Sequence, residues 1–168
     1  MSARNYRVSG RRIIAFLLVA GGVLGILGSL SMAGHFAGRQ ESLRVGSAVV
    51  SAGLFAWGIL TGVSLWRGTA RGFRWATFLY ALQVPVFSVG PVSYEFSTLL
   101  SFRVMAGNTT HFVGANIGSS ANIFLSDQSL GFMCGINLVA VIALCCLVAT
   151  SRVASTQSPR LGTAAWNA

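Results

Sequence analysis

The sequence contains no lysine and only three acidic residues, and this scarcity of charge limits the classes of protein to which it can belong. Charged residues make up 9% of the 168 residues, against about 25% in soluble domains. The chain therefore has too few charges to cover a water-facing surface in the usual way. Hydrophobic residues make up 54% of it, and chains this apolar are stable mainly where lipid is the solvent. The composition predicts an integral membrane protein with one compact unit.

Cysteine is also scarce, and all three cysteines stand in one apolar segment, at positions 134, 145 and 146. They form no spaced pair in a segment that would reach an oxidising compartment, so no disulfide framework is predicted. The two histidines, His35 and His111, have no metal-ligand spacing to the cysteines. No serine stands in a nucleophile elbow. We therefore predict no metal site, no cofactor and no catalytic residue.

Four apolar stretches are long enough to cross a bilayer, whose core of about 30 Å takes roughly 20 helical residues. They are predicted to be helices over residues 13–33, 45–66, 75–94 and 130–149, and none contains an arginine, aspartate or glutamate. The predicted fold is an all-α membrane protein, a four-transmembrane-helix bundle occupying residues 13–150. A basic cytoplasmic segment, residues 1–12, precedes it, and a disordered cytoplasmic tail, residues 151–168, follows it.

The arginines set the predicted orientation. Nine of the twelve lie in the N-terminal segment, in the loop between the second and third spans, and in the tail. The opposite side holds Arg39, Arg44 and Arg103 together with every acidic residue. The positive-inside rule then places both termini in the cytoplasm, as in a multi-pass protein of the bacterial inner (plasma) membrane. Because the arginines stand at helix ends, nucleic-acid binding is not predicted.

The first span has an alternative interpretation as a cleaved signal peptide ending near Ala33. Its apolar run of about 17 residues exceeds the 7–15 residues usual in signal peptides, which favours a retained span.

Small residues at four-residue spacing indicate how the helices pack, since close backbone approach matters more in lipid than in water. The candidate packing positions are Gly21, Gly25, Gly58, Gly62, Gly131 and Gly135. Packing within one bundle is the favoured interpretation, and a homo-oligomer face is the alternative.

Two polar residues stand inside the predicted spans, Gln83 in the third and Asn137 in the fourth. Helix tilt, or a kink at Pro85, would bring them to the same depth. A hydrogen bond between the two helices is the favoured interpretation of this pair. The alternative is that both side chains line a small polar pocket.

The stretch between the last two predicted spans is too long for a turn and too apolar for a linker. Its period-two alternation predicts a short extracytoplasmic β-hairpin or meander over residues 98–127. Its apolar side chains are the candidate partner-binding residues: Phe102, Phe112, Ile117 and Phe124. Glu95 and Asp127 are expected to cap this segment or to pair with Arg103. A docking surface and a local cap that closes the bundle are the two interpretations of the segment.

The leading functional hypothesis is a non-enzymatic accessory or interaction protein, in contact with membrane lipid and binding a partner protein on the extracytoplasmic side. The alternative is a small channel or transporter for a neutral or anionic solute, with Gln83 and Asn137 along its path. Proton coupling is disfavoured because no ionisable residue lies inside the spans. A membrane enzyme is the third hypothesis, and it would need Glu95, Asp127 or His111 for turnover.

Overall fold

The computed structural model of the protein describes residues 3–37, 42–90, 92–108, 111–125 and 132–156. Within these residues lie four helices and six strands. In chain order they are α1 (Ala3–Ala37), α2 (Ser42–Trp66), α3 (Ala70–Gln83), β1 (Pro85–Val89), β2 (Val92–Ser97), β3 (Leu100–Gly107), β4 (His111–Ile117), β5 (Ser120–Leu125), β6 (Met133–Asn137) and α4 (Leu138–Thr156).

The two longest helices, α1 and α2, form an antiparallel hairpin. Small residues let them approach closely, since Gly22 lies against Ile59 and Gly62 lies against Ala15. Within the described residues, 10–37 and α2 are the two helices long and apolar enough to cross a membrane. The hairpin therefore indicates membrane association, on length and composition.

The glycines expected to pack helices have different surroundings. Gly25 faces the ring of Phe55 in α2, and Gly21 faces the turn that follows β2, where Thr98 and Leu99 stand. Gly58 and Gly62 face α1. Gly131 lies outside the described residues, and Gly135 lies in a strand rather than a helix.

The third predicted span is wrong, because α3 ends eleven residues before residue 94. The helix begins after Thr69, whose hydroxyl oxygen accepts a hydrogen bond from the Gly72 amide at 3.0 Å. It ends at Gln83 because Pro85 has no amide hydrogen with which to continue the helical ladder. The chain then runs as β1 and β2, and Gly90 takes the positive φ of 58° that their short connection requires.

The fourth predicted span is wrong in the same way. Its first part is strand β6, and α4 begins only at Leu138. The apolar part of α4, Leu138–Thr150, is shorter than a membrane span. The helix continues to Thr156, so the first residues of the predicted disordered tail are helical, while residues 157–168 lie outside the described part.

A four-helix membrane bundle is therefore not the fold of this chain. The described residues contain a six-stranded antiparallel sheet, and only α1 and α2 are candidate spans. The prediction fails because a short apolar run is equally consistent with a buried strand and with part of a buried helix. The hairpin or meander expected over residues 98–127 is also too small, since β1, β2 and β6 belong to the same sheet.

The sheet has the strand order β4-β3-β6-β1-β2-β5, with every neighbouring pair antiparallel. The last strand in sequence, β6, is thus inserted between β3 and β1, where Gly135 pairs with both Met105 and Val86. A Cβ at Gly135 would overlap the carbonyl oxygen of Val104, so this central position favours glycine. The sheet ends at two strands with one neighbour each, β4 and β5.

The core lies where the helices meet the base of the sheet. Its buried apolar side chains come from all four helices and from β2: Ile14, Ala15, Leu18, Phe55, Leu65, Ala76, Leu79, Tyr80, Phe96, Ala140, Ala143 and Leu147. The rings of Phe55 and Phe96 lie 5.5 Å apart and join α2 to the sheet. The Ser119 hydroxyl donates to the carbonyl oxygen of Gly21 at 2.5 Å and joins the sheet to α1. The sheet therefore meets the hairpin near the middle of both long helices.

Replacing Gly25 with valine is expected to lower the free energy of unfolding by about 1–3 kcal/mol, because the added side chain overlaps the Phe55 ring. The measurement is the denaturation midpoint of the purified protein in detergent. Gly28→Val is the matched control in the same helix, since a Cβ there meets no atom within 4 Å. Equal midpoints for the two variants would contradict the packing described for α1 and α2.

Candidate functional site

The two faces of the sheet differ in polarity, because side chains alternate along each strand. On β2, Glu95 and Ser97 point to one face, and Tyr94 and Phe96 point to the other. The strand register places Arg103 and Ser120 on the face of Glu95, and Val104, Val113 and Ile136 on the face of Phe96. We name these the polar face (Glu95, Ser97, Arg103, Ser120) and the apolar face (Phe102, Val104, Val113, Ile117, Ile136).

An ion pair between Arg103 and Glu95 crosses the polar face. Two strands, β6 and β1, lie between β3 and β2, so the pair connects non-neighbouring strands. The side chains are 20% and 14% exposed, respectively. The other carboxylate oxygen of Glu95 accepts a hydrogen bond from Ser120 at 2.8 Å, and Ser120 shares a hydrogen bond of 2.8 Å with Ser97. Both oxygens of Glu95 are thus engaged in holding the sheet together.

This ion pair is one of the two roles expected for the acidic residues near the β segment. Asp127, the other acid of that expectation, lies outside the described residues. Ser97 and Ser120 were not singled out from the sequence. Their signal is the alternation of Ser93, Glu95 and Ser97 with apolar residues along β2.

Gln83 lies at the end of α3 and is 1% exposed. Its side-chain oxygen accepts hydrogen bonds from the amide and the hydroxyl of Thr98, both at 3.1 Å. Burial raises the pKa of the Tyr80 phenol. A hydrogen bond between Tyr80 and Thr98 lowers that pKa by a smaller amount. The side-chain nitrogen of Gln83 is buried and has no partner among the described residues. Gln83 therefore attaches the turn after β2 to α3.

Asn137 is the last residue of β6, and it is also 1% exposed. Its side-chain oxygen accepts hydrogen bonds from the amides of Phe102 and Val139, both at 3.2 Å. The backbone amide of Asn137 donates to the carbonyl oxygen of Val84 at 2.9 Å. Asn137 therefore joins β3 to the first turn of α4 and places β6 beside the end of α3.

Gln83 and Asn137 thus lie at the same level of the fold, where helix changes to strand. Among the hydrogen bonds of the described residues, none joins the two side chains directly; Val84 connects them through its backbone. That the pair lines a polar pocket stays a prediction.

The apolar face is exposed on β3, β4 and β6. Val104 pairs with Val113 on one side and with Ile136 on the other, so the face is continuous across three strands. The exposed fraction is 62% for Val113 and 84% for Ile117. Soluble monomers rarely expose large continuous apolar patches, and such patches mark contact with protein or lipid.

The four predicted partner-binding residues do not share one surface. Phe102 and Ile117 lie on the apolar face. Phe112 points to the opposite face of β4, where its ring covers Gly114 and is 46% exposed. Phe124 lies in β5, and its side chain is outside the described part of the structure. The structure therefore brings three of them to β3 and β4, on two faces.

Polar chemistry beyond these contacts is sparse in the part of the chain that the structure describes. There, no three residues among histidine, cysteine, aspartate and glutamate lie close enough to hold a metal ion. His35 lies beside Phe36 in α1, and His111 begins β4.

Comparison with protein-family models, with curated proteins and with solved structures finds no match to this chain.

The Arg103–Glu95 pair is expected to show a coupling energy of about 1–3 kcal/mol in a double-mutant cycle, because removing either partner leaves the other charge poorly solvated on the sheet. The cycle compares Glu95→Gln, Arg103→Met and the double variant by denaturant unfolding. Arg12→Met is the control for loss of an arginine, since Arg12 lies over the Trp66 ring, away from the sheet. Additive effects of the two substitutions would show that the pair does not couple the strands.

Proposed function

We propose that this protein is a membrane-anchored, non-enzymatic accessory protein that binds a partner protein through the apolar face and the β4 edge of its sheet. The observation that carries the proposal is the continuous apolar surface of β3, β4 and β6, whose apolar side chains are 38–84% exposed within the described chain. Because the surface ends at an edge strand, backbone and side chains are offered to the same partner.

The partner that fits is an extended segment with apolar side chains at alternate positions. Such a segment adds to β4 as a seventh strand and continues the apolar face. The other edge is less suited, since β5 lies against α2 and Ala121 packs onto the core. Phe112 and Ile117 then mark the two faces of the accepting strand.

The hairpin of α1 and α2 supplies the anchor. Each helix is long enough to cross the bilayer, which supports a chain that passes through the membrane twice. The N-terminus and residues 67–74 then lie on the same side. The arginines of those segments favour the cytoplasm for that side. The short helix α4 returns to α3 and the N-terminal half of α1, which favours a cytoplasmic C-terminus in a bacterial inner membrane.

The channel alternative has less support from the geometry. It relies on Gln83 and Asn137, whose side-chain oxygens each accept two hydrogen bonds from the chain itself. Side chains engaged in this way hold the fold together and are poorly placed to contact a moving solute.

A photo-crosslinking residue at position 112 is expected to capture one abundant membrane protein in native membranes, identified by mass spectrometry. Ile117→Lys should lower that capture about tenfold, because it places a charge in the apolar contact. Leu43→Lys is the matched control, since Leu43 is 80% exposed and lies at the start of α2. Capture of lipid alone, or equal capture by both variants, would contradict a docking role for β4.

Reporter fusions are expected to show the proposed orientation. A periplasm-active reporter should be active after Gly38 and inactive after Gly68, because α1 and α2 cross the membrane in opposite directions. A cytoplasm-active reporter at the same two positions is the control and should give the reverse result. Activity of one reporter at both positions would show that α2 does not cross.

A further inference from the structure

A basic and aromatic groove lies on the outer face of α3, away from the sheet. It is lined by Arg71, Arg74, Trp75 and Phe78 and has a volume of about 550 Å³. The residues stand at positions i, i+3, i+4 and i+7, so they form one stripe along the helix. The opposite stripe of α3, which includes Ala76 and Leu79, is buried in the core.

The arginines of the groove are not neutralised by the described chain. Glu95 is the one acidic side chain among the described residues, and it is paired with Arg103 on the sheet. Like charges three residues apart on a helix repel each other. An anion bound between Arg71 and Arg74 would remove that repulsion and accept charge-assisted hydrogen bonds from both guanidinium groups.

The groove is charged at one end and aromatic at the other. Trp57 of α2 supports the aromatic end, because its ring lies 5.1 Å from that of Trp75 and 5.6 Å from that of Phe78. Trp75 and Phe78 are nevertheless 44% and 51% exposed. From Arg71 to Phe78 the helix rises about 10 Å. A ligand that fits this gradient has an anionic head and an apolar body.

The position of the groove relative to the hairpin specifies that ligand further. Gly72 lies against Ser64 and Leu65, so the start of α3 is level with the last turn of α2. If α2 crosses the bilayer, as in the proposed function, this turn lies among the lipid headgroups. Trp75 then lies beside the part of the acyl chains next to those headgroups. We infer that the groove binds one anionic phospholipid, with its phosphate between Arg71 and Arg74 and its acyl chains along Trp75 and Phe78.

Other arginines at this end of the molecule provide a matched control. Arg12 lies over the Trp66 ring, 5.8 Å from its centre, and Arg67 lines a separate groove with Phe16 and Val63. Replacing Arg12 and Arg67 removes the same charge from the same end of the hairpin and leaves the α3 groove intact. A general electrostatic attraction would respond equally to both pairs of substitutions.

The test is native mass spectrometry of the full chain in detergent, titrated with phosphatidylglycerol or with phosphatidylcholine of the same acyl chains. The unmodified protein should retain one phosphatidylglycerol, and Arg71→Gln with Arg74→Gln should weaken that binding about tenfold or more. Arg12→Gln with Arg67→Gln should change it less than about twofold. Equal losses in the two double variants, or equal retention of phosphatidylcholine, would overturn the inference.

Two further measurements separate lipid binding from simple anion binding and from partner binding. Brominated phosphatidylglycerol should quench tryptophan fluorescence less in Trp75→Phe than in Trp66→Phe, and excess inorganic phosphate should not displace the lipid. Displacement by phosphate would mean that the groove is an anion site without lipid specificity, which overturns the inference. Because capture from position 112 does not involve α3, it distinguishes failure of the lipid site from failure of the proposed function.

Discussion

One backbone hydrogen bond connects the end of β6 with the residue that follows α3: the amide of Asn137 donates to the carbonyl oxygen of Val84. It joins two chain segments that both change between helix and strand at this level. Each change leaves backbone groups that the preceding element cannot satisfy. The buried side-chain oxygen of Asn137 accepts from the amide of Val139 in the first turn of α4, and that of Gln83 accepts from the amide of Thr98 in the turn after β2. The position of β6 between β3 and β1 also rests on its pairing with both strands, as at Gly135, which pairs with Met105 and Val86.

The sequence identifies α1 and α2 correctly as apolar helices because their hydrophobic runs are uninterrupted by strand signals. It fails at residues 75–94 because the end of α3, strand β1 and the start of β2 follow one another in one apolar stretch without a charged residue. This stretch nevertheless contains local signals of a turn and of a strand. Gly90-Pro91 marks a turn, and Val92, Tyr94 and Phe96 alternate with Ser93, Glu95 and Ser97.

The candidate site was predictable only in part, for a different reason. Period-two alternation locates β3 and β4, so Phe102 and Ile117 could be recognised as surface-forming apolar residues. Which strands flank them depends on pairing over long sequence separations, as between Val104 and Ile136. Sequence periodicity indicates which face of the sheet a side chain lies on, but not which strand is its neighbour. The aromatic groove of α3 could not be predicted, because Trp75 stands at the start of a predicted span, where an aromatic residue is usual, and its partner Trp57 lies on another helix.

The placement of the sheet restricts what can lie against its apolar face. The base of the sheet contacts the hairpin at Gly21 and Phe55, near the middle of both long helices. If those helices cross a bilayer, the base of the sheet lies near the bilayer centre, where apolar side chains suit lipid. The edge of β4 does not suit lipid, because the unpaired backbone groups of an open sheet edge are costly in hydrocarbon. Lipid therefore suits the face and leaves the edge unpaired, whereas a strand added to β4 pairs the edge and extends the face.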